Sequence, residues 1–159
     1  MKIRVGFGYD VHPLQEGKDF WLGGVKIPHT HGAVGHSDAD TLIHAMCDAF
    51  LGAANLGDIG THFPDTSDDF KNIDSKILLK KVVEMLKKEG YEIGNVDCTV
   101  TLEKPKIAPF IPEMKQVLST TLHIPAKNIS IKATTSEQMG FVGRAEGVCA
   151  YAICLLMGY

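Results

Sequence analysis

The sequence lacks the features of a nucleic-acid-binding or membrane-spanning protein. Its 159 residues carry 16 Lys and Arg against 19 Asp and Glu, so no basic surplus is available for a phosphate backbone or an anionic lipid surface. The longest apolar run, residues 148–157, is much shorter than the roughly 20 residues that a membrane helix needs. The N-terminus shows no signal-peptide pattern. We therefore expect a cytoplasmic protein that binds neither nucleic acid nor membrane.

Cysteine is scarce and is never paired in the sequence. The four cysteines, Cys47, Cys98, Cys149 and Cys154, stand singly in apolar stretches without C-x-x-C spacing. This pattern is typical of reduced core cysteines in an intracellular protein. A metal site in this chain must therefore use histidine and carboxylate ligands.

Two kinds of periodicity predict a single α+β domain over residues 1–159. Apolar alternation predicts strands at residues 3–9, 96–102 and 129–133, and residues 20–27 are typical of a hairpin. The segment 148–156 is apolar on all sides, which fits either a buried strand or a buried helix, and we favour a strand partly from the resemblance given below. Helical spacing predicts helices at about 40–52, 74–89 and 109–122, whereas the glycine-rich segment 57–69 predicts an exposed, mobile loop. We expect an α/β sandwich, with a mixed four-stranded sheet, helices packed on one face and a small hairpin.

Two residues at the end of the first strand and one on the first helix could hold a metal. Asp10 and His12 project together from the strand face that carries small and polar residues, a face that we interpret as bare. His44 borders the apolar stripe of the first helix. Two histidines and one carboxylate form a three-ligand zinc site with one open position, as catalytic zinc requires. From the pattern alone, Asp10 could instead cap a turn and His44 could be a half-buried structural histidine.

Three nearby residues allow other interpretations. Asp40, one turn before His44, could cap the helix, orient the imidazole, or do both. His29 and His31 have the same spacing as Asp10 and His12, but their neighbours Pro28 and Gly32 favour a solvated loop. We therefore expect His29 and His31 to lie outside the metal site.

Several segments together resemble the 2-C-methyl-D-erythritol 2,4-cyclodiphosphate synthase family. They are G-Y-D-V-H at 8–12, H-S-D-A-D at 36–40, G-D-I-G at 57–60, F-P-D-T at 63–66 and A-T-T-S-E at 133–137. The resemblance extends to G-N-V-D at 94–97, P-K at 105–106 and G-F-V-G-R at 140–144, in order and nearly end to end. Ala39, Ser136 and Gln138 differ from the residues frequent in the family, but none of these departures removes a ligand.

The resemblance implies an enzyme of the non-mevalonate isoprenoid pathway. It would convert 4-diphosphocytidyl-2-C-methyl-D-erythritol 2-phosphate into the 2,4-cyclodiphosphate and CMP. In this reaction the 2-phosphate attacks the β-phosphorus of the same molecule, and CMP leaves. Such a phosphorus-oxygen lyase must bend its substrate, screen its charges and exclude water.

The resemblance also implies roles for individual residues. Asp10, His12 and His44 bind one zinc per subunit, Glu137 helps to hold magnesium or manganese, and His36 and Thr135 stabilise the transferring phosphoryl group. The implied substrate-binding residues are Asp58, Ile59, Gly60, Phe63, Pro64, Asp65, Thr66, Ser67, Phe141 and Arg144. The implied cytidine-binding residues are Leu102, Glu103, Lys104, Pro105, Lys106, Ile107, Ala108, Thr134 and Ser136.

The architecture that the resemblance implies is a homotrimer with its active sites between subunits. A hydrophobic channel would follow the three-fold axis, with Phe7, Tyr9, Phe141 and Arg144 as candidates to line it. This channel could hold an isoprenoid diphosphate.

Two other functions would use the same features. A zinc phosphohydrolase would use the three metal ligands to activate water instead of an internal phosphate. A non-catalytic trimeric module that binds isoprenoid diphosphates would need neither the zinc ligands nor CMP release. The resemblance in the cytidine segment favours the synthase over the hydrolase.

Overall fold

A computed structural model describes all residues, 1–159, and contains seven strands and five α-helices. The strands are β1 (Lys2–Glu16), β2 (Phe20–Leu22), β3 (Val25–Ile27), β4 (His31–Ala33), β5 (Tyr91–Thr101), β6 (Ile129–Thr134) and β7 (Gly147–Gly158). The α-helices are α1 (Thr41–Ala53), α2 (Ile59–His62), α3 (Ser75–Lys88), α4 (Ile111–Leu122) and α5 (Gly140–Gly143). Short 3₁₀ turns lie at Asp68–Phe70, Ala108–Phe110 and Ala126–Asn128.

One mixed sheet organises the single α+β domain. Its strand order is β4-β1-β7-β5-β6, and only the β5–β6 pair is parallel. The sheet has five strands rather than the four expected, because His31–Ala33 pairs with the end of β1. The predicted loop at residues 29–31 is therefore wrong at His31, which lies opposite Glu16. The predicted hairpin is confirmed as the separate β2–β3 pair.

Helix α1 packs on the glycine face of β1. A Cβ atom at Gly6 would lie 1.9 Å from the carbonyl oxygen of Ala49, and one at Gly8 would lie 1.9 Å from that of Ala45. Only glycine allows this approach of helix to strand. The expectation that this face is bare is therefore wrong, because α1 covers it and brings its own side chains to the end of β1.

The opposite face of β1 is apolar and exposed. Ile3, Val5, Phe7 and Tyr9 are 59%, 68%, 61% and 43% exposed, and Ile153 of the neighbouring β7 is 51% exposed. A contiguous apolar surface of this kind is typical of an interface with another protein chain or a ligand. No helix of the structure is long and apolar enough to cross a membrane.

Helices α1 and α3 pack side by side on one face of the sheet. Helix α1 is buried almost all round, whereas α3 buries one stripe that includes Leu79, Val82 and Leu86 and leaves most of its lysines exposed. The predicted boundaries of these two helices agree with the structure to within a few residues. The segment predicted as an irregular mobile loop, 57–69, instead contains α2 and begins a 3₁₀ turn.

Candidate metal centre and the pockets around it

The three predicted metal ligands come together at the end of β1. Asp10 and His12 lie on the face covered by α1, and His44 comes from the first turn of that helix. One ligand atom from each residue lies within 4.8 Å of the others. The close contact at Gly6 and Gly8 places helix and strand near enough for this cluster to form.

The cluster leaves a buried oxygen without a hydrogen bond. Asp10 Oδ2 lies 2.8 Å from His12 Nε2 and 3.3 Å from His44 Nδ1, but neither contact has hydrogen-bond geometry. The two ring nitrogens lie 3.3 Å from each other. A buried carboxylate oxygen facing two imidazole nitrogens is a costly arrangement that a bound cation would satisfy.

Hydrogen bonds behind the cluster hold both imidazoles. His12 Nδ1 donates to the carbonyl oxygen of Val34 at 3.0 Å, so its Nε2 presents a lone pair to the cluster. His44 Nε2 lies 3.0 Å from Ser37 Oγ and 2.9 Å from Ser75 Oγ. Partners of this kind orient the histidine ligands of metal sites.

The local charges favour an ionised carboxylate. Burial raises the pKa of the Asp10 carboxyl, but the His12 and His44 imidazoles outweigh burial and leave this pKa below its ordinary value. Burial likewise lowers the pKa of His12, but the carboxylate of Asp10 leaves it above its ordinary value. Two nitrogens and one carboxylate oxygen, with space beside them, suit zinc in three-ligand coordination.

A cavity of about 330 Å³ opens beside the three ligands. Of the residues predicted for phosphoryl transfer and substrate binding, five line it: His36, Ile59, Gly60, Phe63 and Asp65. His36 Nε2 donates to the carbonyl oxygen of Ser67 at 2.7 Å, which fixes the imidazole at the wall. Asp58, Pro64, Thr66 and Ser67 belong to the same segment without lining the cavity.

Two aspartates shape the segment that forms the far wall of this cavity. Asp58 caps α2 by accepting hydrogen bonds from the backbone N–H and hydroxyl of Thr61, which lower the pKa of Asp58. Asp48 on α1 accepts from the backbone N–H of Ile59 at 2.7 Å. The sequence did not predict this role of Asp48, because Asp48 and Ile59 are 11 residues apart and belong to different helices, so no periodic spacing links them.

Asp40 does not orient His44. Its carboxylate caps α1 by accepting from Ile43 N–H at 3.0 Å, and it also accepts from the N–H groups of Gly23 at 2.9 Å and Gly24 at 2.7 Å. Asp40 is completely buried, and burial raises its pKa. Of the two interpretations of Asp40, the helix cap is confirmed. The His44 imidazole is oriented by Ser37 and Ser75 instead.

A second cavity, of about 200 Å³, lies at the ends of β5 and β6. Seven of the predicted cytidine-side residues line it: Leu102, Glu103, Pro105, Lys106, Ile107, Ala108 and Thr134, together with the predicted phosphoryl-contact residue Thr135. Lys104 and Ser136 do not line it, although Ser136 N–H donates to Glu103 at 3.4 Å. The two cavities share no lining residue.

The remaining predicted residues lie on the surface after β6. Glu137 is exposed and has a left-handed backbone with φ of 56°. Arg144 donates to both carboxylate oxygens of Glu146, at 2.9 and 3.3 Å. Neither Arg144 nor Phe141, which is 40% exposed, lines either cavity.

Comparison with known sequences identifies the family. The profile of the YgbB family matches residues 3–157. The chain belongs to the YgbB family. Over 156 residues it is 60% identical to the 2-C-methyl-D-erythritol 2,4-cyclodiphosphate synthase of Parabacteroides distasonis, covering 98% of this chain and 97% of that protein. It is 59% identical over 156 residues to the enzyme of the same name from Bacteroides fragilis, covering 98% of each.

Solved structures of YgbB-like proteins have the same fold. The chain superposes on a 2C-methyl-D-erythritol-2,4-cyclodiphosphate synthase with a TM-score of 0.90 and 36% identity, covering 97% of this chain and all of that one. It superposes on IspF of Plasmodium falciparum in its CDP complex with a TM-score of 0.87 and 36% identity, covering 98% and 96% of the two chains. The bifunctional IspDF of Campylobacter jejuni gives a TM-score of 0.96 and 40% identity, and the chain spans 43% of that protein.

Proposed function

We propose that the whole chain, residues 1–159, is one cyclodiphosphate synthase domain. It converts 4-diphosphocytidyl-2-C-methyl-D-erythritol 2-phosphate to 2-C-methyl-D-erythritol 2,4-cyclodiphosphate and CMP, as a phosphorus-oxygen lyase of non-mevalonate isoprenoid biosynthesis. The observation that carries the proposal is the Asp10, His12 and His44 cluster beside a 330 Å³ cavity, in a chain 60% identical to a named synthase. The four free, buried cysteines suit the reducing cytoplasm, where we place the enzyme.

The metal ligands would hold one zinc ion per subunit through Asp10 Oδ2, His12 Nε2 and His44 Nδ1. When bound, zinc supplies a Lewis acid whose open position can polarise a β-phosphate oxygen. The protein supplies the geometry, because the contacts behind both imidazoles keep the ligand atoms facing inward before any metal arrives. This arrangement reduces the reorganisation that metal binding requires.

The cavity wall would bind the methylerythritol 2-phosphate and keep water away. Ile59, Phe63, Phe70 and Leu78 give the wall an apolar surface that excludes competing water. His36, held in place by Ser67, would screen charge on the transferring phosphoryl group. The rest of the substrate-side set, Asp58, Gly60, Pro64, Asp65, Thr66, Phe141 and Arg144, completes the proposed contacts.

The second cavity would take the cytidine. Its lining includes Lys106, which would face a phosphate, while backbone groups of the segment 102–108 would contact the base. Lys104 and Ser136, which do not line the cavity, complete the proposed cytidine-side set. Thr135 would contact the transferring phosphoryl group from this side. Glu137, an exposed carboxylate two residues further on, would help to hold magnesium or manganese, which would screen the negative charge of the diphosphate.

The separation of the two cavities supports a homotrimer with active sites between subunits. Because they share no lining residue, a zinc-side cavity would meet the cytidine-side cavity of a neighbouring copy. The exposed apolar face of β1 and β7, including Phe7 and Tyr9, offers the surface for assembly around the three-fold axis. An isoprenoid diphosphate is our candidate for a ligand on that axis, with Phe141 and Arg144 nearby.

Product analysis with the authentic substrate tests the function. With zinc and magnesium present, we expect CMP and the cyclic diphosphate in equal amounts, measured by chromatography and phosphorus NMR. Linear hydrolysis products would instead favour a zinc phosphohydrolase. No turnover, with isoprenoid diphosphate binding unchanged by His44→Ala, would favour the non-catalytic module.

A further inference from the structure

The His44 imidazole makes hydrogen bonds on the side that faces away from the 330 Å³ cavity beside the metal ligands, the metal pocket. Its Nε2 lies 2.9 Å from Ser75 Oγ, while its Nδ1 lies 3.3 Å from Asp10 Oδ2. Ser75 is completely buried, so its hydroxyl is not exposed to bulk water. Ser37 Oγ lies 3.0 Å from the same nitrogen, and its hydroxyl can donate to Nε2 or accept from it. Because Ser37 can adapt to either tautomer, the position of the proton on the His44 ring depends on whether the Ser75 hydroxyl donates to Nε2 or accepts from it.

Asp38 decides the direction of that hydrogen bond. Its carboxylate accepts the hydroxyl proton of Ser75 at Oδ1 and the backbone N–H of Ser75 at Oδ2, 3.0 Å away. The backbone N–H of Asp40 also donates to Oδ1, at 3.1 Å, so three donors converge on the Asp38 carboxylate. A hydroxyl has only one proton, and Ser75 gives it to Asp38. Ser75 must then accept from His44 Nε2, which leaves the lone pair of His44 on Nδ1, facing the metal pocket.

Backbone contacts fix the start of α3 against the loop that carries His36. The N–H of Asn72 donates to the carbonyl oxygen of His36 at 2.7 Å, and the N–H of Asp38 donates to that of Ile73 at 3.1 Å. Ser75 follows directly in the first turn of α3. The hydroxyl of Ser75 is therefore held at a defined position relative to His44.

We propose that Asp38 and Ser75 form a positioning relay that sets the tautomer and the ring orientation of His44 for metal binding. Asp38 acts through Ser75, and Ser75 acts through the imidazole. The relay rests on the proposed function only in taking Asp10, His12 and His44 as the metal ligands. Partners that orient metal-bound histidines are typically worth about 10- to 100-fold in metal affinity.

The first test reads the tautomer of His44 in the metal-free protein by nitrogen-15 NMR. We expect the proton on Nε2 in the wild type. In Asp38→Ala, the freed Ser75 hydroxyl can donate to Nε2, so the tautomer with the proton on Nδ1 should gain population. A wild-type tautomer pattern in Asp38→Ala would contradict the relay.

The second test measures metal affinity, with Co²⁺ absorption spectra and Zn²⁺ competition against a chromophoric chelator. Asp38→Ala, which removes the acceptor of the Ser75 hydroxyl, and Ser75→Ala should bind both ions about 10- to 100-fold more weakly than the wild type. Asp74→Ala is the matched control, because Asp74 caps the same helix by accepting from Lys76 N–H at 2.9 Å without reaching Ser75 Oγ or His44. A purely structural role of Asp38 would make Asp38→Ala and Asp74→Ala alike in both unfolding temperature and affinity.

The possible results separate the relay from the function on which it rests. If the wild type binds metal and folded Asp38→Ala binds it equally well, the relay is wrong while the metal site stands. If the wild type binds neither ion, the proposed metal site fails and the relay fails with it. Should Ser75→Ala not fold, the metal affinity and the His44 tautomer of Asp38→Ala decide the outcome.

Discussion

Two regions differ in how completely one chain builds them: the metal pocket, and the 200 Å³ cavity at the ends of β5 and β6, the cytidine-side pocket. In the metal pocket, His12 and His44 use one ring nitrogen for outer hydrogen bonds and turn the other inward, in a half-buried setting. Across the sheet, Thr135 and Glu137 are exposed, and the Glu137 carboxylate makes neither a hydrogen bond nor an ion pair. The metal pocket is preorganised by hydrogen bonds within one chain, whereas the cytidine-side pocket presents exposed polar groups.

This difference matches what we propose that each half binds. A metal needs several ligand atoms within a few tenths of an ångström of their final positions, which demands support from behind. Phosphate and cytidine are larger and arrive with their own charges, so exposed backbone and side-chain groups can close on them when a neighbouring surface meets the pocket. Variants on the two sides should therefore fail in different ways.

The largest effect is expected at the metal ligands. Asp10→Ala, His12→Ala and His44→Ala should each lower CMP release by more than about 100-fold, because even residues that only orient ligands are worth about 10- to 100-fold. Folding should change little, since none of the three side chains belongs to the apolar core cluster. Steady-state assays with metal analysis and thermal unfolding measure both effects. Retained activity in any folded variant would contradict the assignment.

A second prediction concerns the contact that brings the ligands together. Gly8→Ala places a Cβ atom 1.9 Å from the carbonyl oxygen of Ala45, so α1 must move away from β1. We expect a loss of about 2 kcal/mol in the free energy of unfolding, or a Tm about 4–8 °C lower, together with weaker metal binding.

Gly52→Ala is the matched control for this glycine. Gly52 lies in α1, and a Cβ atom there would meet nothing within 4 Å. Alanine is the better helix former by about 1 kcal/mol, so the control should hold or raise Tm. Equal destabilisation by the two substitutions would mean that helix–strand contact is not the cause.

The sequence predicted the parts of the fold and site that depend on local spacing. Alternation predicted β1 and β5, and the D-x-H spacing placed Asp10 and His12 on one strand face. β7 is apolar on all sides, so its assignment as a strand needed the family resemblance as well. β4 was missed because three residues carry too little periodicity, and His31 was assigned to a loop. The packed face of β1 was misjudged, because glycines there provide contact rather than polarity.

Contacts between distant residues could not be predicted. Ser75 lies 31 positions after His44, and only the packing of α3 on α1 brings the hydroxyl to the imidazole. Asp40 was ambiguous for the same reason, since its second role is to accept from Gly23 and Gly24 of the hairpin. Polar side chains that link separate elements carry no periodic signal.

A third prediction separates the two proposed metals. Glu137→Gln keeps the shape of the side chain but removes the charge, so magnesium affinity and activity at limiting magnesium should fall about tenfold, equivalent to about 1.4 kcal/mol. High magnesium should restore most of the activity. Failure of this rescue together with a fall in zinc content would assign Glu137 to the zinc side.

The smallest loss of activity is expected from substitutions of His29 and His31. His29 lies before the short edge strand β4, and His31 is its first residue. Although their rings are neighbours, 5.8 Å apart, neither joins the metal cluster. His29→Ala and His31→Ala should retain CMP release within about twofold, because His29 is exposed, His31 is only half-buried, and neither ring belongs to the metal cluster. Surface substitutions away from special features change stability by only about 0.5 kcal/mol. A large loss of activity would mean that the wrong histidines were assigned to the metal.

Mixed trimers test the comparison between the two halves directly. A His44→Ala chain lacks the zinc half, and a Thr135→Ala, Lys106→Ala chain lacks the cytidine half, so neither parent should release CMP. In a cyclic trimer each interface joins different surfaces, and every mixed trimer then has one interface at which both intact halves meet. For equal random mixing, about three quarters of the trimers are mixed and one site in three works, so about a quarter of wild-type activity should return. Co-expression with two affinity tags isolates the mixed species for the assay. Activity no greater than the sum of the parents would show that each site is built within one chain. The substrate would then have to contact the metal pocket and the cytidine-side pocket of the same chain.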